Sequence, residues 1–146
     1  MTLTPPDDHL PGSEPTNPVD ALVQLSFLVQ RILADAGAAH DLSIIQIRLA
    51  GILRDRTAGM LELGRHLALD KSSMTGLVSR AEKRGLVRRD PSPHDGRAVL
   101  VSLTPAGRAL AAELTVEIGR RLTALTDRLP EASRTELVAM ATLLLR

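Results

Sequence analysis

The chain has no cysteine, no tryptophan and no tyrosine, and Phe27 is the single aromatic ring among its 146 residues. Without cysteine there are no disulfides, thiolate metal sites or thiol redox switches, and four scattered histidines remain as the only soft ligands. Without aromatics the core must be assembled from Leu, Ile, Val, Ala and Met, a supply suited to helices packed on helices. No run approaches the roughly 18 uninterrupted apolar residues of a membrane span. The opening residues MTLTPPDDHL carry acid where a secretion signal needs positive charge. These absences point to a soluble, cytoplasmic protein with no membrane partner. Also missing are a Walker or dinucleotide glycine loop, an HExxH helix and a close carboxylate pair within a recognised motif, so nothing marks an enzyme or calls for a cofactor.

What is present is enough for one domain with a real core, since 44% of the residues are hydrophobic. The net charge of +1 conceals a division along the chain. Residues 65–97 hold eight Lys/Arg against four Asp/Glu, a local +4, and the remainder is therefore −3. A basic segment in an otherwise acidic chain fits a polyanion, although charge alone does not separate this from an ordinary solvated surface.

Residues 1–18 contain five prolines and no apolar period, which predicts a disordered or extended arm. Asn17–Pro18 is an N-cap and first-turn pair, opening an apolar helix that ends near Gly37. Ser43 and Gln46 have capping-box spacing and begin a second helix that continues to about Arg56. A short third helix covers 60–67. Asp70 is placed to cap a fourth over 71–84, which Gly85 stops. A hairpin of 86–90 and 98–103 follows, with the turn-forming PSPHDG between its strands. Thr104–Pro105 opens a fifth helix in which Leu110, Leu114, Ile118, Leu122, Leu125 and Leu129 recur until Pro130 breaks it. Ser133 and Glu136 suggest a further capping box before a last apolar helix.

Within the fourth helix Met74, Leu77, Val78 and Ala81 fall at i, i+3, i+4 and i+7 and share a buried face. Ser72, Thr75, Gly76, Ser79 and Lys83 then lie on the opposite face, flanked by Ser73 and Arg80. Small hydroxyl side chains bordered by cations, with no central carboxylate, can approach a major groove closely. Arg88 and Arg89 begin the hairpin and Arg97 ends its turn, where a projecting arginine can enter a minor groove. Asp95 and Arg97 also fit a local ion pair that only orders the turn, and both roles are compatible.

Residues 61–110, LELGRHLALDKSSMTGLVSRAEKRGLVRRDPSPHDGRAVLVSLTPAGRAL, closely resemble the winged-helix core of the MarR family. Lys71, Ser72, Ser73 and Thr75, then GLV at 85–87, DGR at 95–97 and LTPAG at 103–107, occur in family order and spacing. The resemblance extends over about residues 19–145. It implies a mostly α fold with a small β wing: a winged helix-turn-helix lobe over 42–103, joined to dimerisation helices over 19–39 and 104–146. It implies a homodimer that binds double-stranded DNA at a pseudo-palindromic operator and regulates transcription, most simply as a repressor. By the same resemblance Ser72, Ser73, Thr75, Ser79 and Arg80 are helix contacts, with Arg97 as the wing contact and Asp95 its support; Lys83 and Arg89 complete the basic surface. Two departures stand out. Gly76 replaces a larger, often basic side chain, and Gly96 replaces a residue that is frequently Arg.

The family resemblance further implies release from DNA by a small aromatic or phenolic acid bound between the dimer helices and the DNA-binding lobe. Here that region would include His40, Arg48 and Arg54, which form no signature, and no Trp or Tyr is present to stack on a ring. Three other readings compete. His66 and His94 are surface residues rather than catalysts, His40 beside Asp41 lacks the further ligands a metal needs, and a winged helix used only for protein contacts gives no reason for aligned cations on helix and hairpin. Salt-dependent DNA binding separates these readings.

Overall fold

The computed structural model describes residues 14–146, so most of the expected N-terminal arm lies outside the described residues. Among the described residues, six helices and three short strands follow in chain order: α1 Pro18–Ala38, α2 Ile44–Leu53, β1 Ala58–Gly59, α3 Met60–Leu67, α4 Lys71–Lys83, β2 Val87–Pro91, β3 Val99–Leu103, α5 Pro105–Thr126 and α6 Glu131–Leu144. The fold class is the expected one, mostly α with a small antiparallel sheet.

Local side-chain chemistry sets most helix starts. Asn17 Oδ1 accepts the Asp20 N–H at 2.9 Å, with Pro18 in the first turn where its missing donor costs nothing. Ser43 and Gln46 exchange hydrogen bonds in a complete capping box. Asp70 Oδ1 accepts from Ser73 N–H at 2.7 Å, and Thr104 Oγ1 accepts from Gly107 N–H at 3.0 Å. The α3–α4 turn places Ala68 in the left-handed region at φ 52°. Gly85, at φ 74°, stops α4 where a side chain would be strained.

Three expectations need correction. The second helix ends at Leu53 and the fifth at Thr126, each about three residues short of the sequence estimate. The Ser133–Glu136 capping box does not form. Helix α6 begins at Glu131, Pro130 precedes it in extended conformation, and the Pro130 carbonyl accepts the Arg134 N–H, so Ser133 already lies inside the first turn. An ion pair of 3.0 Å between Arg134 and Asp127 ties this start to the end of α5. The sheet also has a third strand that no sequence pattern announced. β1 pairs with β3 through Ala58↔Val101 and Gly59↔Leu100, giving the order β1-β3-β2.

The main core joins α2, α3, α4, the sheet and Ala111 of α5, with Leu63, Val78 and Val101 fully enclosed. A smaller cluster of Leu42, Ile47 and Leu114 fastens α2 to α5. The Thr104–Gly107 corner connects β3 to α5. Thr104 Oγ1 donates to Gly85 O at 2.6 Å, Thr104 N–H donates to Leu86 O, and a Cβ at Gly107 would overlap that same Leu86 carbonyl.

Two helices are left with large uncovered apolar faces. Helix α1 is long and apolar enough to cross a bilayer by length and composition alone, but only 11% of its most apolar stretch is buried, and Arg31 and Asp35 interrupt that stretch. Val19, Leu22 and Phe27 are exposed there. Helix α6 has no buried residue, and Val138, Met140, Leu143 and Leu144 are all more than half exposed.

Candidate nucleic-acid interface

Helix α4 presents the two faces that its periodicity requires. Met74, Leu77, Val78 and Ala81 are buried, while Ser72, Ser73, Thr75, Arg80 and Lys83 are exposed and Ser79 is half-buried. Asp70 caps the helix, and the Ser73 N–H, together with the Ser73 hydroxyl, holds its carboxyl below the usual carboxylate range. Thr75 Oγ1 donates to the Lys71 carbonyl at 2.8 Å, which spends its proton within the helix and leaves an acceptor and a methyl group for a ligand. At Gly76 the bare backbone does not leave a hole. The Arg80 guanidinium lies over it, with Nη1 3.1 Å from where a Cβ would stand. The cation missing at position 76 is thus replaced in space by one a turn later.

The hairpin sorts its arginines into different roles. Arg89 Nη2 donates to Ser79 Oγ at 2.6 Å, and Arg89 Nε lies 3.6 Å from Glu82 Oε2 without a hydrogen bond of its own. Ser79 and Arg89, both expected to face DNA, therefore engage each other and brace β2 against α4. Arg88 pairs with Asp90 at 3.0 Å. In the turn, Asp95 Oδ1 accepts the Arg97 main-chain N–H at 3.0 Å and Asp95 O accepts the Ala98 N–H, also at 3.0 Å. Among the described residues there is no ion pair between Asp95 and Arg97. Asp95 orders the turn through the main chain, and the Arg97 guanidinium is left exposed, with no partner among the described residues.

The three residues expected around an effector separate. Arg54 donates to Thr115 Oγ1 at 3.3 Å and lines a cavity of about 280 Å³ between α2 and α5, with Ile47, Leu114, Ile118 and Leu122. Arg48 points elsewhere, donating to the His66 carbonyl at 3.3 Å. His40 offers its carbonyl, not its ring, to Arg84. His66 itself belongs to a surface cluster with Arg56 and Glu62. Sequence reasoning missed a groove of about 490 Å³ between α3 and α4, floored by Met74 and rimmed by Arg65 and Lys71. The clustering of cations in residues 65–97 was the one available signal for Arg65 and Lys71.

A short helix, a tight turn, a second helix with an outward hydroxyl and guanidinium face, and a basic hairpin beside it define a winged helix-turn-helix DNA-binding module. The MarR family pattern matches residues 40–98. The transcriptional repressor NicR of Pseudomonas putida is 32% identical over 110 residues, covering 68% of this chain and 70% of NicR. The organic hydroperoxide resistance transcriptional regulator of Bacillus subtilis is 35% identical over 88 residues, but the match spans only 60% of this chain and 59% of that regulator. The fold follows the wild-type MarR of E. coli with a TM-score of 0.79 at 24% identity, over 92% of this chain and all of the other. The chain belongs to the MarR family of DNA-binding transcriptional regulators.

Proposed function

We propose that the protein is a homodimeric repressor, not an enzyme, that binds a pseudo-palindromic operator. The observation that carries the dimer is α6: a 14-residue helix with no buried residue is marginal on its own in water, so its apolar face needs a partner. Val138, Leu143 and Leu144, together with Val19 and Leu22 of α1, are exposed apolar side chains that a second copy would cover. The interface buries more than about 2,000 Å², the range of obligate pairs. Part of the α5 stripe is already used within the chain, because Leu114 is buried against Leu42 and Ile47.

Paired α4 helices enter successive major grooves about one helical turn apart, and the hairpin turns reach the flanking minor grooves. Ser72, Ser73, Thr75, Arg80 and Lys83 face the operator directly, and Arg97 contacts it from the turn that Asp95 orders. Ser79 and Arg89 act by joining the two contact elements. A crystal structure of a cysteine-to-serine mutant of E. coli MarR holds operator DNA, and this chain shares its fold at a TM-score of 0.70 and 26% identity, which supports the arrangement. Light scattering at micromolar concentration, followed by footprinting on selected genomic fragments, tests the reading. A dimer and a symmetric footprint are expected; a monomer rejects it.

Regulation by a small aromatic or phenolic acid fits the α2–α5 cavity, whose apolar wall holds one cation, Arg54, for a carboxylate. NadR has been crystallised with 4-hydroxyphenylacetate, and DNA binding by BpsR of Bordetella bronchiseptica is regulated by 6-hydroxynicotinic acid. Such a ligand lowers operator affinity only through a preference for the DNA-free state, and a coupling of about 1–3 kcal/mol gives roughly 5- to 150-fold. Titrating aromatic acids against free protein and operator complex tests this, with tighter binding to free protein expected. Equal affinity in both states excludes the cavity as a regulatory site.

A further inference from the structure

Arg84, the C-cap residue of α4, lies outside every contact expected with DNA or effector. Its guanidinium forms a fork on two successive carbonyls of the α1–α2 turn, with Nη1 donating to Asp41 O at 2.9 Å and Nη2 to His40 O at 2.8 Å. That turn is closely set. The His40 and Leu42 N–H groups both return to Gly37 O, Asp41 is in the left-handed region at φ 54°, and a Cβ on Gly37 would lie 2.5 Å from Leu42 O. The fork therefore has an ordered receptor. It ties the residue that ends α4 to the turn that follows α1, whose carbonyl end is a region of partial negative charge that a planar cation suits. One of these helices reads DNA in the function proposed above, and the other belongs to the dimer scaffold. Helix α1 packs on α2 and α5 and α4 packs on α3 and β2, with α2 and α4 meeting in the shared core, so the guanidinium adds a direct tie between the end of α4 and the α1–α2 turn.

We propose that Arg84 is a positioning residue that holds the recognition helix at a set angle to the dimer scaffold, so that both copies of α4 reach their grooves together. This rests on the homodimeric operator-binding reading. Engaging the second half-site is an intramolecular step whose effective concentration depends on geometry. When the tie is lost, lobe orientations spread, and apparent affinity falls in proportion to the fraction of dimers with the right spacing. A single half-site needs only one lobe and is indifferent to that spacing.

The test uses the full chain with Arg84→Ala and Arg84→Lys, on an operator duplex and on the same duplex with one half-site scrambled, across a salt series with thermal melts alongside. Arg84→Ala is expected to lose about tenfold on the intact operator and less than about twofold on the scrambled one, with unchanged salt slopes. Arg84→Lys, a single point donor in place of a fork, keeps the charge and recovers only part of the loss. Equal losses on both duplexes overturn the proposal, as does a salt slope flattened by about 0.9 per protomer, which makes Arg84 a phosphate contact instead. If Arg84→Ala keeps the full wild-type preference for the intact operator, the positioning role alone fails. If the wild type itself shows no such preference, the proposal and the dimeric reading fall together.

Discussion

Replacing Arg97 with alanine removes the exposed cation of the hairpin turn without touching a bond that holds the turn. The main-chain N–H that donates to Asp95 Oδ1 is retained, as is the Ala98-to-Asp95 bond, and the guanidinium has no partner among the described residues. The melting temperature should therefore stay where it is. DNA binding should not. Loss of one groove contact costs about 1–3 kcal/mol, so losing both in a dimer costs about 2–6 kcal/mol, or roughly 30-fold or more in affinity. Each phosphate neutralisation lost also flattens the plot of log affinity against log salt by about 0.9, hence about 1.8 for the two turns of a dimer. Between about 50 and 200 mM salt the wild type should thus lose about 12-fold more affinity than Arg97→Ala. Fluorescence anisotropy on a labelled operator fragment measures both quantities. An unchanged affinity and slope would refute the placement of Arg97 at DNA, and a lowered melting temperature would show that it braces the turn instead.

Gly76→Ala should raise the stability of the protein by about 0.5–1 kcal/mol in thermal denaturation, because a mid-helix glycine is replaced and the neighbour met at 3.1 Å is the flexible end of Arg80. The same change pushes that guanidinium aside and should alter operator affinity in parallel binding assays. Thr104→Ala should cost about 1–2 kcal/mol in chemical denaturation, since it loses both the Gly107 cap and the 2.6 Å bond to Gly85 O, whereas Thr104→Ser should keep both. Acid should destabilise the fold in a defined way: Ser73 lowers the Asp70 carboxyl, and Arg121 followed by Arg120 lowers that of Glu117. Depressed carboxylates contribute stability that is complete above the ordinary carboxylate range and is lost as pH falls through their lower folded values. Melting temperature should fall below about pH 4, and Asp70→Asn, which keeps a cap acceptor without the charge, should flatten part of that fall.

The helix starts at Asn17, Ser43, Asp70 and Thr104 were legible because each cap bonds a backbone N–H three residues away, an interaction that neighbours in the chain decide between them. The inward and outward faces of α4 were legible for the same reason, since a period of 3.6 residues converts spacing directly into direction. The chemistry of the exposed α4 surface followed from that, as did the turn chemistry around Gly85 and PSPHDG. Where two local signals competed, as with Pro130 against the Ser133–Glu136 box, residue order could not rank them. An extended proline already supplies the first carbonyl of α6, so the later cap had nothing left to do.

The tertiary structure decided which partner each long side chain meets. Arg84 reaches carbonyls 43 and 44 positions earlier in the chain, Arg54 reaches Thr115 61 positions later, and Arg89 turns back to Ser79 instead of outward. The two-residue strand β1 exists because β3 passes beside it, not because Ala58–Gly59 prefers extended backbone. A guanidinium carries the same charge and five donors wherever it stands, so sequence alone determined that this region would be basic and hydroxyl-rich. Whether a given arginine binds DNA, braces a hairpin or ties a helix to the scaffold depends on which distant backbone the fold brings within hydrogen-bonding distance.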